Sequence, residues 1–185
     1  MTATFFELVV RFGYRRATVD DVARICRVSK RTVYERFPSK EALYEAALTQ
    51  WARGQRKSVQ ARLTTTAPAA QVRELIALAF ADARAASDVA PPPTTGVDEP
   101  LDLVIEVNER VFAPMVLDLI RRGNVDGSWH VEDPETTARF CIAVGVEAIN
   151  QLRRDPTRDL EPATAAAMLR LLGAPEHTTK QRTRK

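Results

Sequence analysis

One short run of the 185-residue chain concentrates groups able to touch a polyanion: Ser29, Lys30, Arg31, Thr32, Tyr34 and Arg36. Lys and Arg neutralise phosphates, a guanidinium can fork onto guanine, and hydroxyls reach phosphate oxygens or base edges. Ser29 and Ser39 each precede a helical run. Helix starts of this kind offer unpaired N–H groups and a positive dipole end to phosphate. The chemistry is that of a nucleic-acid groove and its backbone.

No comparable set points to catalysis. HExxH, GxGxxG and Walker sequences are absent, and the two His are far apart. Glu106 and Glu109 stand three apart, but a helical wheel sets Glu106 opposite the apolar stripe, as a solvated acid. No enzyme activity, metal or cofactor is therefore expected. A helical enzyme or an interaction module stays as the alternative, and it would leave the basic run accidental. Cys26 and Cys141 lie outside any CxxC pair and cannot form a disulfide scaffold, so a reducing cytoplasm is expected. No apolar run approaches the ~18 residues of a membrane span, so no membrane partner is expected. The start, MTATFFELVVRFGYRR, is apolar early and basic late, the reverse of a secretion signal.

With 45% hydrophobic and 28% charged residues, collagenous, mucin-like and globally disordered classes are excluded. The net charge of +3 hides a partition. Residues 1–57 carry 12 basic and 6 acidic side chains, residues 58–179 carry 11 and 18, and Lys180–Lys185 adds four cations. Such asymmetry fits a polyanion-binding module on an acidic platform, or simply a solvated charged surface.

The elements that must position these groups all read as helices, since no stretch shows sustained β-branched alternation. Phe5, Leu8, Val9 and Phe12 form a stripe that Gly13 closes as a left-handed stop. Thr18 caps Val19–Cys26, with Asp21 completing a capping box. Ser29 caps Lys30–Phe37, which Pro38 ends, and Ser39 caps a helix from Lys40 towards Leu63. In the first pair, Val22, Ala23 and Cys26 face inward, Val28 fills the joint, and Val33 and Phe37 anchor the second helix: the layout of a helix-turn-helix. A fifth helix follows Pro68, and residues 91–100 read as a loop, with Pro91–Pro93 a linker or a pocket border. A helix from Leu101 to about Arg122 has a kink or break at Pro114; Gly123–Val131 reads as a loop holding Trp129 and His130. Asp133-Pro134 opens the next helix, Pro162–Leu172 forms the last, and a disordered tail follows Gly173.

Between 134 and 154, apolar or small residues cover about two-thirds of the wheel, where a one-sided surface helix needs ~100°. Burial on two sides follows, by a symmetric partner or by enclosure within a monomer. The partner reading takes Cys141, Val144, Gly145, Ala148, Ile149 and Leu152 as a dimer face.

The segment FGYRRATVDDVARICRVSKRTVYERFPSKEAL (Phe12–Leu43) closely resembles the DNA-binding domain of the TetR family of bacterial transcriptional regulators. The Gly-Tyr turn, the Thr-Val helix start, Val-Ser-Lys, Thr-x-Tyr, Phe37 and Ser-Lys-Glu-Ala-Leu match in order and spacing. Beyond it the likeness is only helicity and length. The resemblance implies an all-α fold: an N-terminal three-helix DNA-binding domain over residues 1–47, a helical ligand-binding and dimerisation domain over 48–175, and a basic tail over 176–185. It implies a homodimer on a palindromic operator in double-stranded DNA, acting as a repressor released by a small organic effector. A helical DNA-binding protein without an effector is the alternative.

Carried over residue by residue, the resemblance sets Thr18 on a phosphate and Ser29, Lys30 and Thr32 at the start of the recognition helix. Tyr34 would touch phosphate and a thymine methyl, and Lys40 would clamp phosphate from helix four. Three positions depart from the family: Arg27 replaces the usual turn Gly, Arg31 stands where Gly is common, and Arg36 replaces His or Tyr. Met1 falls at the first helix itself, where members commonly carry further, often basic, residues that reach DNA, so contacts from such an arm are not carried over. For the effector, Asn108 lies central on the apolar face of the 101–120 helix, with Phe112 and Met115 beside it. That Asn points into a pocket or is satisfied by a neighbouring backbone group.

Overall fold

A computed structural model describes residues 1–89 and 100–174. Among them the chain forms eight helices and no strand: α1 (Thr2–Phe12), α2 (Val19–Cys26), α3 (Lys30–Arg36), α4 (Lys40–Arg62), α5 (Pro68–Val89), α6 (Leu101–Asp126), α7 (Pro134–Arg154) and α8 (Glu161–Leu171). The segment around Pro91–Pro93 and the basic tail lie outside the described residues.

Local chemistry sets most helix starts. Thr18, Ser29, Ser39 and Asp133 each accept the backbone N–H three residues on, at 3.1, 3.0, 2.9 and 3.0 Å. Each such cap satisfies one of a helix's orphan donors. Pro134 occupies the first turn of α7, where its missing N–H costs nothing.

Three apolar cores hold the helices together. The first joins Phe5 and Val9 of α1, Val22 and Ala23 of α2, Val33 of α3 and Leu43, Tyr44, Leu48 and Ala52 of α4 to Val104, Val107 and Val111 of α6. The second, around Ile120, Trp129 and Cys141, ties α6 to α5, α7 and α8. The third packs Ile76 and Phe80 of α5 against Ala148 and Leu152 of α7. The boundary expected at residue 47 falls inside the continuous α4, whose side chains serve both the N-terminal helices and α6.

Three sequence expectations are corrected. Gly13 closes α1 at φ 85°, ψ 156°, a region open to glycine but not the left-handed helical one. α6 runs unbroken past Pro114 and past Gly123, to Asp126, and Gly127 at φ 78° ends it. Gly123 breaks nothing because its bare Cα is where the Trp129 indole packs, and a Cβ there would lie 2.0 Å from the ring. Trp129 is thus core, and Asn124 clamps the returning chain by exchanging two hydrogen bonds with Val131, at 2.9 and 2.8 Å. Propensity marks Gly as a stop; tertiary packing overrides it.

Candidate nucleic-acid interface

The helix-turn-helix is assembled from α2 and α3. Thr18 enters α2 with extended backbone, and its hydroxyl also donates to Asp21 at 2.6 Å. That bond, with help from Arg24, holds the Asp21 carboxyl below its usual range. The turn is made by Arg27 at φ 54°, ψ 43°, the sole non-glycine residue with positive φ among those described. Left-handed backbone costs a side-chain-bearing residue about 1–2 kcal/mol. The turn offsets this by sending the Val28 N–H back to the Ala23 carbonyl at 3.0 Å, the closure typical of a helix end. Val33 is fully buried, which fixes the rotation of α3.

With Val33 inward, Ser29, Lys30, Arg31, Thr32, Tyr34 and Arg36 all stand exposed, as does Arg27. Lys30 Nζ pairs with Asp20 at 3.0 Å, which raises its pKa and leans it towards α2. Arg31 pairs with Glu35 at 2.9 Å, with 87% of its side chain exposed. Exposed pairs like these are worth at most about 1 kcal/mol and exchange readily for phosphate. Ser29 and Thr32 hydroxyls lie 2.8 Å apart at the helix start. Lys40 differs from the others. Its ammonium donates to the Arg15 carbonyl at 3.2 Å and sits 4.4 Å over the Tyr14 ring, and burial pulls its pKa down.

The remaining candidates are dispersed. Asn108 donates to the Val104 carbonyl one turn back on its own helix, at 2.7 Å. Phe112 packs on the first core. Met115 lines a cleft of about 320 Å³ where the ends of α4 and α5 meet α6. Gln60, Leu63, Thr65, Gln71, Leu75 and Arg122 share that cleft. Sequence reading missed them because they come from separate elements and carry no common spacing. A wider, open cleft of about 580 Å³ lies between α4 and α6, edged by Glu45, Thr49, Arg53 and Arg110.

Of the residues taken as a dimer face on α7, Cys141, Ala148 and Leu152 are buried against α5, α6 and α8 of the same chain. Gly145 lies against Met168 of α8. Val144 and Ile149 are half-buried, and Phe140, an apolar residue of the same wheel not counted in that face, is 57% exposed.

The geometry is that of a capped helix-turn-helix with a basic, hydroxyl-rich second helix, mounted on a helical body. Residues 4–47 match the model of bacterial regulatory proteins of the tetR family. No curated protein matches it in sequence. Its fold resembles that of RolR in complex with resorcinol, at 18% identity and a TM-score of 0.76 over 94% of this chain and 86% of that one. FadR from Bacillus halodurans, a fatty acid degradation regulator, is 17% identical with a TM-score of 0.65, over 93% and 96% of the two chains. AibR, in complex with isovaleryl coenzyme A and operator DNA, is 14% identical with a TM-score of 0.53, over 94% and 97%. No helix of the described residues is long and apolar enough to cross a membrane.

Proposed function

We propose that the chain is a cytoplasmic, non-enzymatic repressor that binds a palindromic operator as a homodimer and leaves it when a small organic effector occupies the helical body. The observation that carries the reading is the exposed face of α3, set by the buried Val33 and the Ser29 cap. Lys30, Arg31, Thr32 and Tyr34 stand there for base edges and phosphates, and Ser29, Arg27, Arg36 and Thr18 border them. The reading head is assigned to residues 1–47 and the effector and dimer functions to 48–175.

Two heads must lie about 34–36 Å apart, or a multiple, to enter successive major grooves. A second copy covering Phe140 and Val144 on the outer side of α7 would set that spacing. The effector is assigned to the body because RolR and AibR hold a phenol and an acyl-coenzyme A. The cleft beside Met115 is the seat proposed for it, with Gln60, Gln71 and Arg122 as polar partners over an apolar floor. An effector shifts the equilibrium only by its differential affinity for the two arrangements.

The test is a mobility shift on the intergenic DNA upstream of its own gene. Joint replacement of Lys30 and Tyr34 by Ala should abolish the specific shift while the helical circular dichroism stays intact. A specific shift that survives both changes would sink the assignment of α3. Sedimentation as a monomer at micromolar concentration would sink the dimer.

A further inference from the structure

We propose that the effector is an amphipathic organic acid, and that Arg56 of α4 is the cation that takes its carboxylate at the end of the cleft beside Met115. The inference rests on the effector reading of that cleft and names the chemical class of its occupant.

Arg56 is unlike the other cations along the seam between α4 and α6. It is half-buried, yet no carboxylate pairs with it among the described residues. Its Nη1 donates to the Val111 carbonyl of α6 at 3.2 Å. Its Nε is shielded from solvent without an acceptor, the only buried side-chain nitrogen or oxygen so placed among the described residues. A shielded donor left without a partner is costly, more so on a charged group, and its retention marks a place where a partner is taken up. Arg122, on the rim of the cleft, is already held by Asp118 at 2.9 Å, Gln71 at 2.6 Å and the Thr66 carbonyl at 3.4 Å. Arg110 is held by Glu45 and Thr49, at 2.9 and 3.0 Å.

Helical register places Arg56 at the cleft. Arg56, Gln60 and Leu63 share one face of α4, and Val111, Met115 and Leu119 share one face of α6. Gln60, Leu63, Met115 and Leu119 line the cleft, so the Arg56–Val111 contact closes the next turn of the same seam. Val111 occupies Nη1 and leaves Nε–H and the Nη2–H beside it, the parallel pair that a carboxylate accepts in a fork. An alcohol or an amide oxygen matches that edge less well, because it brings neither the second acceptor nor the charge. An apolar chain lying on Leu63, Met115 and Leu119 would carry its acid group to this edge.

The test is isothermal titration of the full chain at neutral pH with octanoate and with octanol, a matched acid and alcohol. Octanoate should bind the parent about tenfold tighter than octanol. Arg56→Met should remove that preference and leave octanol unchanged, and Arg56→Lys, a cation without the fork, should restore only part of it. Without ligand, Arg56→Met should melt no lower than the parent, since an unpaired charge leaves the seam. A lower melting temperature makes Arg56 a structural tie between α4 and α6 and overturns the proposal. Octanoate that binds the parent no tighter than octanol, or that keeps its preference in Arg56→Met, overturns it as well, and so does a parent that takes neither probe. Met115→Trp, which fills the cleft, should weaken both probes. Undiminished binding of both in that variant refutes the cleft as the effector's seat, independently of Arg56.

Discussion

The Trp129 indole rests on the bare Cα of Gly123 and donates its Nε1–H to the Ile120 carbonyl at 2.9 Å. One side chain thus covers the last turns of α6 and occupies one of their backbone acceptors. Gly123→Ala should destabilise the chain by about 1–3 kcal/mol despite alanine's better helix propensity, since the rigid indole must be displaced. Urea unfolding with tryptophan fluorescence checks this. A variant as stable as the parent would mean that the ring does not sit there.

Arg27 holds a conformation that glycine adopts without strain. Arg27→Gly is expected to raise stability by about 0.5–1 kcal/mol, the strain relieved less the entropy glycine adds to the unfolded chain. Arg27→Val should lower it. Thermal melts of the two variants should therefore move in opposite directions, and a shared direction would contradict the left-handed turn.

Arg31 pairs with Glu35 in an exposed i,i+4 contact on the outer face of α3. Arg31→Ala should change stability by less than about 0.5 kcal/mol. Its effect should fall on which bases are preferred, costing about 1–3 kcal/mol at one operator position. Selection of binding sites from a random duplex pool, parent against variant, reads this directly; identical consensus sites would remove Arg31 from base recognition.

Burial pushes the Cys141 thiol up to about 11, from an ordinary value of 9.0. Between those values the folded chain keeps a proton that the unfolded chain has lost, so stability should fall as pH rises from 9 towards 11. The slope from this group is at most about 1.4 kcal/mol per pH unit. At pH 8 the thiol is protonated and enclosed, so alkylation of Cys141 should wait for denaturation. Mass spectrometry after a short iodoacetamide pulse would locate the modified residue, and rapid native labelling of Cys141 would contradict its burial.

What could be read from the residues and what could not divide on a physical line. The starts of α2, α3, α4 and α7 were legible because Thr18, Ser29, Ser39 and Asp133 act on backbone groups three residues away. The exposed face of α3 was legible because a single anchor, Val33, fixes its rotation. The continuation of α6 was not, because it depends on Trp129 returning to Gly123 from beyond the helix. The orientation of α7 was not legible either. Apolar residues nearly encircle it, and only the placement of α5, α6 and α8 decides that Cys141 and Leu152 turn inward while Phe140 faces out. Asn108 had two readings, and the geometry gives it the Val104 carbonyl.

The first core has one more implication. Leu48 and Ala52 of α4, with Val107 and Val111 of α6, lie in the same apolar cluster as Phe5 and Val22 of the N-terminal helices. Severing the chain near residue 47 would strip the small bundle of that lining, so the fragment should not melt as an autonomous unit. Heating the intact protein should give a single calorimetric transition in which the DNA-reading end and the body lose structure together. Any change in the body that loosens its share of that cluster is then felt at the other end as lost cooperativity, without a hinge between them.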